Sequence, residues 1–484
     1  MGNIALLVQN SFDGATVTGG SWVEDGGLSL DNLKTTQPTE VARSSDMLTT
    51  STTFDADLGA PKKTNVVALV HHNGSQHAQW SVQIGDDPDF NVATEDTTAV
   101  VASTNEIRNN TMVGAVALPD VSEAYPTNWT VDADWGGIDD ILDVGTENGM
   151  EYIEVRLNGT PSGRMDIIFE ANNQIAALQN ENWVSSVFIK LVSGDLTNVD
   201  SVRLRQDEYS SAPAFLSGNT GDDESASVTS TLTRLTFENT LDEATAAFVQ
   251  PKLSLAWTAG AVDLTLRIYL PQMEEQTAVT PVIKTSTVAV ARTARSPVQM
   301  WDPFETFGDR DWGVFRWGGK LTDAESADFR PITMHYISAG VAGQYVRVQI
   351  TDTTSTEAAF DIGRVYIAPV FQPTVNAQYG LSNGFIDPTI KRRSRGSNQF
   401  IDERTKFRIL SFLLSDMKED VAYTDVQEIM RQLGFSQDLL CITDPDDETY
   451  RMRQSIYGTF ASFDPITHEF FDGHAASFVI EELV

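Results

Sequence analysis

Runs of five to eight residues with strand-like patterning recur along the chain, and clusters of Gly, Asn, Asp or Pro separate them. Trp80-Ser81-Val82-Gln83-Ile84 and Tyr345-Val346-Arg347-Val348-Gln349-Ile350 alternate apolar with polar residues, so each buries one face of a strand. Val184 to Leu191 and Leu264 to Leu270 read the same way. Val66-Val67-Ala68-Leu69-Val70 is apolar throughout, the pattern of a fully buried strand. Many short strands joined by frequent turns predict a mainly β chain of sandwiches or barrels.

One segment breaks this rhythm. Val426, Ile429, Met430 and Leu433 follow helical spacing, and Gly434 stands where a helix stops. Thr424 with Gln427 fits a capping box, and Asp416 with Glu419 offers an earlier start, so the expected helix covers residues 416–433. A length of 484 residues accommodates about three domains. Composition changes at residues 91–111, 217–230 and 285–298, and Pro369 and Pro373 bracket another joint.

The formal charge is −35, a field that repels nucleic acid and anionic membranes. No run of about 18 apolar residues occurs, so no spanning helix is expected. The first ten residues have neither a basic region nor a long apolar core, so no secretory signal is expected. The single cysteine, Cys441, sits in Leu439-Leu440-Cys441-Ile442, the setting of a buried, inert thiol. With no second cysteine there is no internal disulfide, as in a protein made in a reducing cytosol.

The segments Leu28-Ser29-Leu30-Asp31-Asn32-Leu33, Val41-Ala42-Arg43-Ser44, Phe54 to Gly59 and Val66 to Asn73 together resemble a galactose-binding-like (discoidin-type) sandwich. Tyr345 to Ile350 and Phe360 to Pro369 resemble the closing strands of the same family. The two halves lie over 200 residues apart, more than such a domain needs, which implies an insertion. Asn182 to Lys190, Ile268 to Glu275 and Thr293-Ala294-Arg295 resemble the carbohydrate-binding-type jelly rolls of phage tail proteins. The stretch from Tyr379 to Val484 is similar to the tube-like module of distal tail and tail-tube proteins. Its marks are the helix, Asp444-Pro445-Asp446-Asp447 and the final Ala475-Ala476-Ser477-Phe478-Val479-Ile480.

These resemblances imply a sandwich over residues 1–114 and 294–373, an inserted jelly roll over 115–293 and an assembly module over 374–484. The expected fold is therefore multi-domain β-sandwiches and jelly rolls plus a C-terminal β module with one α-helix. The implied role is that of a phage distal tail protein, a virion component of the tail tip or baseplate, assembled in the cytoplasm of the bacterial host. Such a protein links the tail tube to the host-recognition apparatus. The expected partners are further copies of the chain in a hexameric ring, tail tube, tape measure and baseplate hub proteins, and tail fibres or host glycans. No membrane and no sequence-specific nucleic acid is expected as a partner. The alternative is a trimeric receptor-binding or tail-fibre protein that binds a host surface glycan.

Lys391, Arg392, Arg393 and Arg395 stand out in an acidic chain. A DNA-binding patch is one reading. Contact with an acidic neighbouring subunit agrees better with the overall charge. Trp312, Phe315 and Trp317 form a dense aromatic group, which reads first as a packed loop and second as a candidate glycan or partner surface, whereas Trp80 and Trp183 fall in strand patterns and read as core.

His71, His72 and His77 are close in sequence, but neighbours on a strand face opposite sides, so His71 and His72 do not converge on one metal ion. Asp444, Asp446, Asp447 and Glu448 supply hard oxygen atoms but lack the glycine of a calcium loop, and read as a turn. No cofactor is expected. A structural calcium is the one metal that the galactose-binding-like resemblance implies, and no residue can be matched to it. Nucleophile-elbow, zinc-protease and Walker signatures are absent, and with 68 Asp and Glu residues a carboxylate pair says nothing about glycoside cleavage. No enzymatic activity is expected.

Overall fold

The computed structural model describes residues 3–24, 27–75, 77–119, 123–132, 135–301, 308–311, 316–319, 331–393, 397–471 and 473–484. Strand makes up about 49% and helix about 8%, so the fold is mainly β. The chain forms two units, residues 99–296 and residues 1–98 together with 297–484.

The 99–296 unit is built on two antiparallel sheets. One has five strands, in the order Thr233–Thr240, Asn182–Ser193, Val262–Glu274, Met150–Gly159 and Ile138–Glu147. The other has Phe215–Thr220, Val199–Tyr209, Phe248–Trp257, Met165–Ile168 and Thr130–Val131, with Ile175–Ala176 also on Phe248–Trp257. The two-residue period fixes which side chains enter the core. Ile153, Val155 and Leu157 alternate inward from one sheet, and Val202, Leu204, Leu253 and Leu255 from the other. Trp183 joins this core, as its strand pattern predicts.

The second unit is built on two larger antiparallel sheets. The eight-stranded sheet runs Val298–Gln299, Gln79–Gly85, Ile332–Thr351, Phe54–His72, Asp361–Ala368 and Ala42–Arg43, with Thr16–Thr18 and Glu95–Asp96 attached. Trp80, Val82 and Ile84 meet Val346, Val348 and Ile350 in one core. The seven-stranded sheet runs Ala5–Leu7, Asp438–Ile442, Ile456–Phe463, Gly473–Glu482, Phe407–Met417 and Ser382–Ile386, with Thr467–Phe470 on Gly473–Glu482. The run Val66 to Val70 is apolar throughout because both its faces are covered. Val67 and Leu69 enter the first core, while Val66, Ala68 and Val70 pack with Leu440, Ile442 and Tyr457 of the seven-stranded sheet.

On its other face the seven-stranded sheet carries the helix. Ala422, Val426, Ile429 and Leu433 pack with Leu410, Phe412, Leu414, Phe478 and Ile480. The helix begins later than residue 416. The strand Phe407–Met417 runs on until Met417 pairs with His474, and Asp416 has a φ of 56°, so neither starts a helix. Residues Val421–Val426 are wound as a π-helix and Gln427–Leu433 as an α-helix. Thr424 lies inside the π segment, and no capping box forms there. Gly434, at φ 51°, ends the helix by donating its N–H to the Met430 carbonyl at 3.1 Å.

Candidate functional site: a basic hairpin arm

The strand Ser382–Ile386 is the last of the seven-stranded sheet. It pairs with Phe407–Met417 from Ser382 opposite Ser411 to Ile386 opposite Phe407. Beyond that point the same two chain segments leave the sheet and pair only with each other, as Ile390–Arg393 and Gln399–Asp402. The result is a two-stranded arm. An isolated ribbon of this kind has no core of its own, so its strand pairing is its main support.

Residues 382–407 carry six basic and three acidic side chains, the reverse of the chain as a whole. Lys391, Arg392 and Arg393 are exposed, and among the described residues none of them forms an ion pair. Arg395 lies outside the described residues. The arm also displays large apolar groups: Phe385 is 74% exposed, Phe400 62% and Ile401 60%. A strand edge that shows unpaired backbone groups and apolar side chains together is a template for association, which soluble proteins usually blunt. The basic run is visible in the sequence. Its apolar companions are not, because Gln399-Phe400-Ile401-Asp402 looks like any strand until the arm is seen to leave the sheet.

The other sequence candidates lie elsewhere. Trp312 and Phe315 fall outside the described residues, and Trp317 lies in the strand Arg316–Gly319, which pairs with Gly308–Asp311. His72 is buried, and both its ring nitrogens are in use. Gly74 donates its N–H to Nδ1 at 3.2 Å, so Nε2 carries the proton and faces Thr333 Oγ1 at 2.8 Å. Burial pushes its pKa down to about 3. His71 sits at a φ of 56° with its ring edge-on to Tyr457, so the two adjacent imidazoles do not converge. Cys441 is fully buried, and desolvation pushes its thiol pKa well up.

Asp444 accepts from the Asp446 amide at 3.2 Å, and Asp447 accepts from the amides of Thr449 and Tyr450, as carboxylates that stabilise a turn do. In the sandwich, the loop carboxylate Asp87 accepts from the amides of Asp89 and Asn91, and Asp352 from the amide and hydroxyl of Ser75. Among the described residues no group of three or more His, Cys, Asp or Glu is arranged to hold a metal ion.

No family model matches the chain, and no curated protein matches it. Among solved structures, it is similar to a CBM4 structure at 13% identity and a TM-score of 0.21, covering 35% of this chain and 99% of that one. A second is the family 11 carbohydrate-binding module of the cellulosomal cellulase Lic26A-Cel5E of Clostridium thermocellum. There the identity is 12% and the TM-score 0.21, over 35% of this chain and 97% of that one. A third is the tripod (BppUct-A-L) from the baseplate of bacteriophage Tuc2009, at 11% identity and a TM-score of 0.27, over 68% of this chain and 98% of that one.

Proposed function

We propose that this chain is a self-associating structural component of a phage tail tip or baseplate, a distal tail-type ring protein. The arm carries the reading. It places cations and large apolar side chains in solvent at the open edge of a sheet, in a chain of formal charge −35. Burying side chains such as Phe385, Phe400 and Ile401 contributes about 1.5–3 kcal/mol each. The cations favour an acidic partner, and the surface of a second copy is acidic. Repetition of one such head-to-tail contact around an axis closes a ring. The phage assignment is supported by the resemblance of residues 379–484 to the tube-like modules of distal tail proteins. In this reading the function is association, no residue has a catalytic role, and the protein resides in the virion.

The test is light scattering of the purified chain with negative-stain images of the same sample. Six-fold rings that dissociate on removal of residues 388–404 are the expected result. A compact trimer that survives the deletion replaces the ring with the receptor-binding reading.

A further inference from the structure

The arm needs a receiving surface, and the strand registers indicate where one lies. In the strand Phe407–Met417, Phe407 pairs with Ile386 at the base of the arm. At the other end, Met417 pairs with His474. Beside His474 lies a second hairpin within the sheet, formed by Thr467–Phe470 and Gly473–Glu482. The arm and this hairpin thus lie at opposite ends of one strand, roughly 30 Å apart at about 3.3 Å per residue.

Their chemistries are complementary. The tip of the second hairpin shows Phe471, 96% exposed, and Phe470, 55% exposed. Tyr423, also exposed, stands edge-on to the His474 ring at 5.3 Å, and the rings of His468 and His474 stack at 4.6 Å across the base of the hairpin. Around this end Asp416, Glu419 and Asp420 are exposed, as is the cation Lys418. One end of the sheet is therefore apolar and acidic, the other apolar and basic. Because both are fixed to the same strand, the arm cannot fold back onto the distant tip within one copy.

We propose that the arm of one copy docks on the Phe470–Phe471 end of the next, with Lys391, Arg392 and Arg393 facing Asp416, Glu419 and Asp420. A contact between opposite ends of the same module is heterologous and propagates head to tail. This inference rests on the self-association proposed above and names the surface that receives the arm.

The test is a charge exchange followed by sedimentation velocity. One variant carries Arg392→Glu and Arg393→Glu, and the other Glu419→Lys and Asp420→Lys. Each alone is expected to weaken association at least tenfold, with its circular dichroism spectrum and melting temperature unchanged. Mixed in equal amounts they are expected to return to the wild-type mass, since each then supplies the end that the other lacks. Phe471→Ser, which alters no charge, is expected to weaken association as well. If the arm variant dissociates while the Glu419/Asp420 and Phe471 variants assemble like wild type, the receiving surface is wrong and self-association stands. A mixture that stays dissociated likewise overturns the receiving surface. A wild-type chain that remains monomeric at every accessible concentration overturns both.

Discussion

Nη2 of Arg364 lies 3.0 Å from Oδ2 of Asp438, with both side chains buried, and the pair joins the two sheets of its unit. Asp438 also accepts from the hydroxyls of Tyr366 at 2.7 Å and Tyr457 at 3.0 Å. Arg364 reaches on to Asp13 at 2.6 Å. A buried charge that loses its partner costs more than the intact pair gains, about 3–5 kcal/mol. Arg364→Leu is therefore expected to destabilise the unit by that amount in urea unfolding at pH 7. Asp438→Asn keeps an acceptor for the two phenols and leaves Asp13 beside the guanidinium, so a smaller loss of about 1–3 kcal/mol is expected. A loss below about 1 kcal/mol for Arg364→Leu would show that the two sheets are held by their apolar contacts alone.

Such a pair is illegible in the sequence, because nothing local marks Arg364 and Asp438, 74 residues apart, as neighbours. The strands are legible because burial of one face imposes a two-residue period. Val346, Val348 and Ile350 are core, as are Trp80, Val82 and Ile84. The end of the helix is legible through Gly434, which adopts the positive φ that a helix stop favours. Its start is not, because Asp416 and Met417 complete a strand whose partner is nearly 60 residues away at His474. Of the arm, the cations are legible as a departure from the overall charge. The exposure of Phe400 and Ile401 depends on where the sheet ends, which local pattern does not encode.

His72 makes the same unit acid-sensitive. Its pKa is lowered from 6.5 to about 3 by burial. Between these values the unfolded chain takes up a proton that the folded chain refuses, so stability is complete above pH 6.5 and falls as the pH drops toward 3. The full loss is on the order of 5 kcal/mol, each tenfold change in proton affinity being worth about 1.4 kcal/mol. His72→Gln lacks the titration, so its unfolding free energy is expected to vary less with pH than that of wild type over this window. Parallel curves for the two proteins would exclude His72 as the source.

The arm predicts a dependence on salt. At about 0.1 M salt the screening length is near 10 Å, and exposed charges separated by more than this scarcely interact. Lys391, Arg392 and Arg393 are exposed, so their contribution to association is of the screened kind. Raising sodium chloride from roughly 0.05 to 0.5 M is expected to shift sedimenting species toward smaller mass without unfolding the protein. A variant with Phe385, Phe400 and Ile401 replaced by serine is expected to stay dissociated even at low salt. Association that strengthens with salt would assign the contact to the apolar side chains alone.

The two units also predict how the chain melts. Each has its own core, so scanning calorimetry is expected to resolve two transitions, provided the units unfold independently. Lys252 gives a handle on the 99–296 unit. Its Nζ is 2.6 Å from Asp207 and 4.0 Å from Asp166, and all three side chains are at most 8% exposed. After Lys252→Met, Asp166 keeps Arg164 at 2.8 Å and Asp207 keeps Arg205, so neither carboxylate is stranded. The expected loss is about 2–3 kcal/mol, below the roughly 3–5 typical of a fully orphaned charge. For a unit of this size that lowers the melting temperature by roughly 5–10 °C. Lys252→Met should move one transition and Arg364→Leu the other. If either substitution moves both transitions together, the units unfold as one cooperative body.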